Sequence, residues 1–386
     1  MEKGNKKILY VLYLLGFAFS LHVAIPTFIN SSFLSNYLQE DIVGALYTLG
    51  SLFSLIVLIN ATKILSRFGN YKTLLSLIVL EIIALLTLAF ADSLLFIAPA
   101  FIIHLVAIVF AVLNIDLFLE FFSSDSNTGE IRGKILTSAN FAWVISPVIA
   151  GFILTNGDYW KIYLTSAVII SFVFLLTLFK FKNFEDPIYD DVPFWGTLKI
   201  VRNDKSLYNI FISSLILRFF YAWMVIYTPI YLHSHLNFAW DQIGIILTIM
   251  LLPFIIFQFP LGRLADKLWG EKEILSIGFV IMSLATISLT FITSTSIVVW
   301  ASVLFISRIG ASAVEIMTES HFFKHIDATD AHVLSFFRNA RNISYVIGPA
   351  VASVFLYFFE YKYLFLVLGL IVLIGLKYSL SLKDTK

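Results

Sequence analysis

The chain contains no cysteine. Disulfides, thiol catalysis and cysteine-ligated metal are therefore excluded, and redox chemistry gives no clue to the compartment. Charge is the next scarcity. Only 13% of the 386 residues are Asp, Glu, Lys or Arg, against about 25% in soluble domains. The 26 basic and 25 acidic side chains nearly cancel to a net charge of +1, so no basic field attracts DNA or RNA. Also missing are Gly-x-Ser-x-Gly, His-Glu-x-x-His and the phosphate-cradling Gly-x4-Gly-Lys-Ser/Thr. Neither an enzyme nor an ATP-driven pump is expected, and no cofactor or metal is expected.

Apolar surface is what the chain has. Hydrophobic residues make up 59% of it, and the mean hydropathy is +0.91. No water-soluble fold of this size has interior enough for so much. Repeated apolar runs of about 20 residues favour membrane-spanning helices over the alternating strands of an outer-membrane barrel. Twelve segments fit: 8–33, 42–62, 73–91, 94–117, 135–154, 160–180, 209–232, 240–261, 274–292, 297–317, 335–358 and 361–380. The first follows the short basic stretch Met1–Lys7 and has no small-residue cleavage site after it, so it reads as an uncleaved span. The fold class is all-α integral membrane. With the N-terminus inside, 20 of the 26 Lys and Arg fall on the inner side and only Lys161 and Lys362 outside. The positive-inside rule then places both tails in the cytoplasm of a cell membrane, of the prokaryotic inner or plasma-membrane type.

The chain repeats itself with a period near 200. Asp41-x-x-Gly44 returns as Asp241-x-x-Gly244, Pro26 as Pro229, and Gly69 as Gly270. Asp116-x3-Glu120 returns as Glu315-x3-Glu319, and Asn140-x5-Ser146-Pro147 as Asn342-x5-Gly348-Pro349. Both copies start on the same side, as in parallel-repeat transporters. Residues 1–180 form one six-helix half, 181–208 a cytoplasmic linker with a short surface helix near Phe194–Val201, and 209–386 the second half.

Gly262-Arg263-Leu264-Ala265-Asp266-Lys267, followed by Gly270 and Lys272, resembles the eight-to-nine loop signature of the major facilitator superfamily. It departs by one inserted residue and by Glu271 in a basic position. The two-to-three loop copy keeps Arg67 and Gly69 but has Ser66 where the acid is expected. Glu130-x-Arg132-Gly133-Lys134 resembles the four-to-five loop, and Arg308-x-Gly310 the Arg-x-Gly element, here in span ten. The resemblance implies a secondary transporter working by rocker-switch alternating access, with spans one, four, seven and ten lining a midplane site and three, six, nine and twelve facing lipid. It also implies a gating role for Asp266, which meets the start of a helix from the other half. Ser66 brings no charge to the matching place.

An ionisable side chain in hydrocarbon is costly and by default functional. His22, His104, Arg218, Arg308 and Glu315 fall in the cavity-lining spans implied by the resemblance, as substrate or proton candidates. Arg308 lies near the midplane and cannot shed its proton. It binds an anionic substrate group or serves a structural ion pair. The histidines carry a coupled proton or pack helices by hydrogen bonding. Arg218 contacts substrate or snorkels. Glu81, in span three, is the exception, either a protonated buried carboxyl or the partner of a neighbouring helix. Asp116, Glu120, Glu315 and Glu319 are paired acids at the cytoplasmic ends of spans four and ten, read as structural and gating groups with Arg67, Arg132 and Lys267 as partners. Pro147, Ala150 and Gly151 resemble part of an exporter element, and Pro147, Gly151, Gly348 and Pro349 also permit close helix packing. The expected function is proton-coupled export, by antiport, of a small, partly hydrophobic compound by a monomer in the lipid bilayer. Uptake of a small anion, or a transport-dead receptor or partner subunit on the same fold, are the alternatives.

Overall fold

The computed structural model describes residues 2–122, 128–154, 157–182, 184, 186, 194–265, 270–324 and 331–382. Within these residues the regular structure is helical, with no strand. The helices are α1 (Glu2–Thr27), α2 (Asn30–Leu34), α3 (Glu40–Ile59), α4 (Ala61–Phe68), α5 (Asn70–Phe90), α6 (Leu94–Phe122), α7 (Thr128–Ile153), α8 (Tyr159–Lys180) and α9 (Phe194–Asn203). They continue as α10 (Lys205–Ile230), α11 (Trp240–Leu251), α12 (Pro253–Ile256), α13 (Gln258–Leu264), α14 (Glu271–Leu289), α15 (Ile297–Lys324), α16 (Ala331–Arg338), α17 (Ala340–Phe358) and α18 (Tyr363–Leu380). Ten helical stretches of the described residues are long and apolar enough to cross a membrane, and Thr137–Ile153 is a shorter apolar helix. Ten of the twelve expected spans are full-length stretches among the described residues. The fifth lies within α7, and α17, with Arg341 in its first turn, is not among the ten.

Four expected segments are interrupted, the second at Asn60 and the eleventh at Asn339, and the first and eighth beside prolines. The first apolar run extends to residue 33, but α1 stops at Thr27, one residue after Pro26. Proline cannot donate to the helix ladder and crowds the preceding turn. The chain restarts as α2, which turns Asn30 inward. The eighth breaks at Leu252, before Pro253, and again at Phe257, before Pro260. The second break starts α13 at Gln258.

The chain divides into two compact units, Met1–Tyr37 with Leu49–Asp191, and Leu38–Thr48 with Val192–Lys386. In the first, α1 packs on α6, α7 and α8, and α5 packs on α6 and α8. Gly69 precedes α5 with φ of 79°, and the backbone N–H of Asn70 donates to Asp186 Oδ1 at 2.6 Å. In the second, α10 packs on α15, α17 and α18, while α14 packs on α15 and α18. Gly270 precedes α14 with φ of 87°, so the two loop glycines of the sequence repeat share a left-handed conformation that only glycine adopts without strain.

Glycine also sets the spacing of α14, α15 and α18. A Cβ at Gly310 would lie 2.6 Å from the Gly278 carbonyl oxygen, and one at Gly369 would lie 2.9 Å from that of Ser283. One at Gly375 would meet Phe279 Cδ1 at 2.6 Å. These helices therefore touch backbone to backbone, as small residues allow in membranes. Outward faces carry exposed apolar side chains, including Ile83 on α5, Phe179 on α8, Leu284 on α14 and Leu370 on α18.

Candidate functional site

The first unit holds a buried polar cluster built from several helices. His22 on α1 is 0% exposed, Glu81 on α5 2%, and His104 on α6 1%. His104 Nδ1 lies 2.7 Å from Glu81 Oε1, and His22 Nε2 lies 3.5 Å from the same oxygen. Asn30, turned in by α2, places Nδ2 3.5 Å from His104 Nε2. Tyr163 on α8 donates its hydroxyl to Asn30 Oδ1 at 3.0 Å.

The proton positions follow from donor and acceptor chemistry. Tyr163 donates to Asn30, so the Asn30 amide donates to His104 Nε2. His104 Nδ1–H then donates to Glu81. His22 Nδ1 lies 2.5 Å from the Phe19 carbonyl oxygen, which only accepts, so Nδ1 carries the hydrogen. The other ring nitrogen, Nε2, is left as an acceptor facing a carboxylate. Neither His22 Nε2 nor Glu81 Oε2 has a hydrogen-bond partner among the described residues.

The second unit holds the other cluster. Arg218 on α10 donates through Nη1 to Glu315 Oε1 at 2.8 Å, and its Nη2 lies 3.7 Å from Glu319 Oε1. Gln258, at the start of α13, donates to Glu315 Oε2 at 3.1 Å. Arg308 on α15 is 1% exposed. Its guanidinium carbon sits 4.7 Å from the Phe220 ring centroid and 5.4 Å from that of Tyr221. The Tyr221 ring also lies 5.6 Å from the Arg218 guanidinium carbon, so one ring serves two cations. Arg308 Nε and Nη1 have no hydrogen-bond partner among the described residues.

Five sequence candidates thus enter two clusters, His22 and His104 in one, Arg218, Arg308 and Glu315 in the other. Glu319 joins the second, and the base facing it is Arg218. Lys267, the base expected there, lies outside the described residues with Asp266. Glu120 and Arg132 lie on α6 and α7, their side chains outside the described set. Asp116 lies on α6. Arg67 packs over its neighbour Phe68, and Ser66 donates to the Lys63 carbonyl on its own helix. A Cβ added at Gly262 would have only Ile316 near it, at 3.8 Å. Pro147 and Gly151 lie within α7, where Ser146 bonds back to Ala142. The Gly348 carbonyl accepts from Trp223 Nε1 at 2.6 Å, and that of Pro349 from the Tyr227 hydroxyl at 3.3 Å. Sequence reasoning names Glu81 without a partner and misses Asn30, Tyr163, Gln258, Phe220 and Tyr221. The described residues offer no group of three ligand side chains able to hold a metal ion.

Membrane-length helices in two units, repeated loop glycines and ionic clusters buried within the spans define a multi-pass membrane transport protein. The chain belongs to the major facilitator superfamily, whose sequence profile matches residues 8–317 and again 224–384. Among solved structures it is similar to a point mutant of the nucleoside transporter NupG, at 13% identity and TM-score 0.78, covering 97% of this chain and 99% of that one. It is also similar to a D-xylose-proton symporter, at 15% identity and TM-score 0.73, covering 98% of each. At these identities the likeness is one of fold. Among curated protein sequences none matches. The chain is a transporter of this superfamily rather than an enzyme.

Proposed function

We propose that the chain is a proton-coupled secondary transporter of a small solute, working by alternating access, and that His22, Glu81 and His104 bind the coupled proton. One observation carries this reading. With His22 Nδ1 committed to Phe19, two acceptors, Nε2 and a carboxylate oxygen, face each other 3.5 Å apart in a fully buried place. One added proton converts that pair into donor and acceptor. Removing it restores the opposition, so the cluster changes its internal bonding with each proton. The D-xylose-proton symporter supports the reading as a proton-coupled carrier of the same fold. Export by antiport is supported by the Ser146-Pro147-x-x-Ala150-Gly151 element, and a partly hydrophobic cargo by the 39 Phe and 7 Trp.

Proteoliposomes with a pH step across the bilayer test this. Solute-dependent proton movement, abolished by a protonophore, is expected, and its direction relative to the solute separates antiport from symport. Solute movement indifferent to the pH step would refute proton coupling.

For orientation we take the Lys- and Arg-rich side as cytoplasmic. A cysteine introduced at Ser381, the chain's only thiol, should resist an impermeant reagent applied to intact cells. Labelling from outside would reverse the topology.

A further inference from the structure

We infer that Arg308 is the receptor for a single negative charge on the transported solute, and that the solute class is a small organic monocarboxylate. The inference deepens the proton-coupled reading and rests on it for transport, although binding is separable. A guanidinium keeps its proton at any accessible pH, and buried charges are held by partners or by ligands. Arg308 is 1% exposed, yet Nε and Nη1 have no protein partner among the described residues.

The nearby acids are engaged elsewhere. Glu315 accepts from Arg218 through one oxygen and from Gln258 through the other. It also sits two helical turns from Arg308 along α15, roughly 10 Å of axial rise. Glu319 faces Arg218 and is 39% exposed. Both acids thus pair with Arg218, itself 24% exposed, and Arg308, the fully buried cation of the cluster, has no ion pair among the described residues.

The guanidinium carbon lies over the Phe220 and Tyr221 rings, and the Nε and Nη1 N–H groups are left for a planar acceptor. A carboxylate matches a guanidinium edge with two parallel hydrogen bonds. Because Arg308 is covered in the conformation described here, the solute reaches it when the carrier opens.

The test is thermal unfolding of the purified full-length protein with millimolar sodium acetate, lactate or benzoate, against acetamide, lactamide or benzamide at matched ionic strength. At least one carboxylate is expected to raise the midpoint while its amide does not. Arg308→Gln should weaken that carboxylate by about tenfold to a hundredfold, the range for hydrogen bonds to charged groups. Arg308→Lys should recover only part, since it lacks the fork. Equal shifts from acid and amide, no shift from any carboxylate, or an undiminished shift in Arg308→Gln would overturn the inference. The acid–amide comparison uses the unaltered chain, so it holds even where a variant does not fold. Proton coupling without a carboxylate shift sinks the anion site alone, and a carboxylate shift without proton coupling sinks the proton reading alone.

Discussion

Glu81→Gln is expected to give a folded carrier that no longer follows a pH gradient. The Gln oxygen accepts from His104 Nδ1–H where Glu81 Oε1 does now, at 2.7 Å. Its amide N–H₂ takes the place of Oε2, and His22 Nε2 then faces a neutral amide oxygen in place of a carboxylate. The substitution therefore keeps the His104 bond without a titrating carboxyl, and the variant should unfold no more readily than the parent at neutral pH. Each pH unit is worth about 1.36 kcal/mol per proton, so a step of about two units supports at most about a hundredfold solute accumulation by one-proton coupling. The variant should show none, while still exchanging solute down its own gradient. Glu81→Leu removes the acceptor that both histidines face and should lower stability by about 1–3 kcal/mol. Radiolabelled solute in proteoliposomes and unfolding in detergent check the two halves. Gradient-driven accumulation by Glu81→Gln at the parent level would remove the cluster from the proton path.

The second large effect concerns Arg218. Arg218→Met leaves Glu315 with Gln258 alone and takes from Glu319 the guanidinium that faces it. Breaking a fully buried pair costs about 3–5 kcal/mol. The Arg218 and Glu315 side chains are 24% and 21% exposed, so the lower end, about 3 kcal/mol, is expected. Adding Glu315→Leu should restore much of the loss, because the uncompensated carboxylate disappears with it. A double-mutant cycle on unfolding midpoints gives the coupling directly. Additive losses would mean that the two side chains are independent.

The fold was legible from the residues because apolar run length and Lys/Arg asymmetry are set by the bilayer itself. Individual ionisable residues were legible too, since His22, His104, Arg218, Arg308 and Glu315 stand out in apolar runs. Partnership was not legible. Helical periodicity assigns a residue to a face but not to the helix it meets. Glu81 lies in the third span, a class the resemblance assigns to lipid contact, yet its side chain is buried, and α5 packs on α6 and α8. Asn30 and Gln258 stand at the starts of α2 and α13, just past breaks in helices that hydropathy alone draws as continuous. Asp186 sits in a polar linker, and nothing in that stretch announces that its carboxylate meets the start of α5.

The glycine contacts of α14, α15 and α18 bear on how this part of the molecule deforms. Helices separated by side chains slide, because rotamers give way one at a time. Helices whose backbones touch at Gly310 and Gly369, with the Phe279 ring close against Gly375, have no such cushion, and they resist shear as a laminate does once its layers are bonded. A motion that α15 makes is then shared with its two neighbours. Arg308, two residues from the Gly310 contact, is carried on a stiff plate rather than on a lone flexing rod.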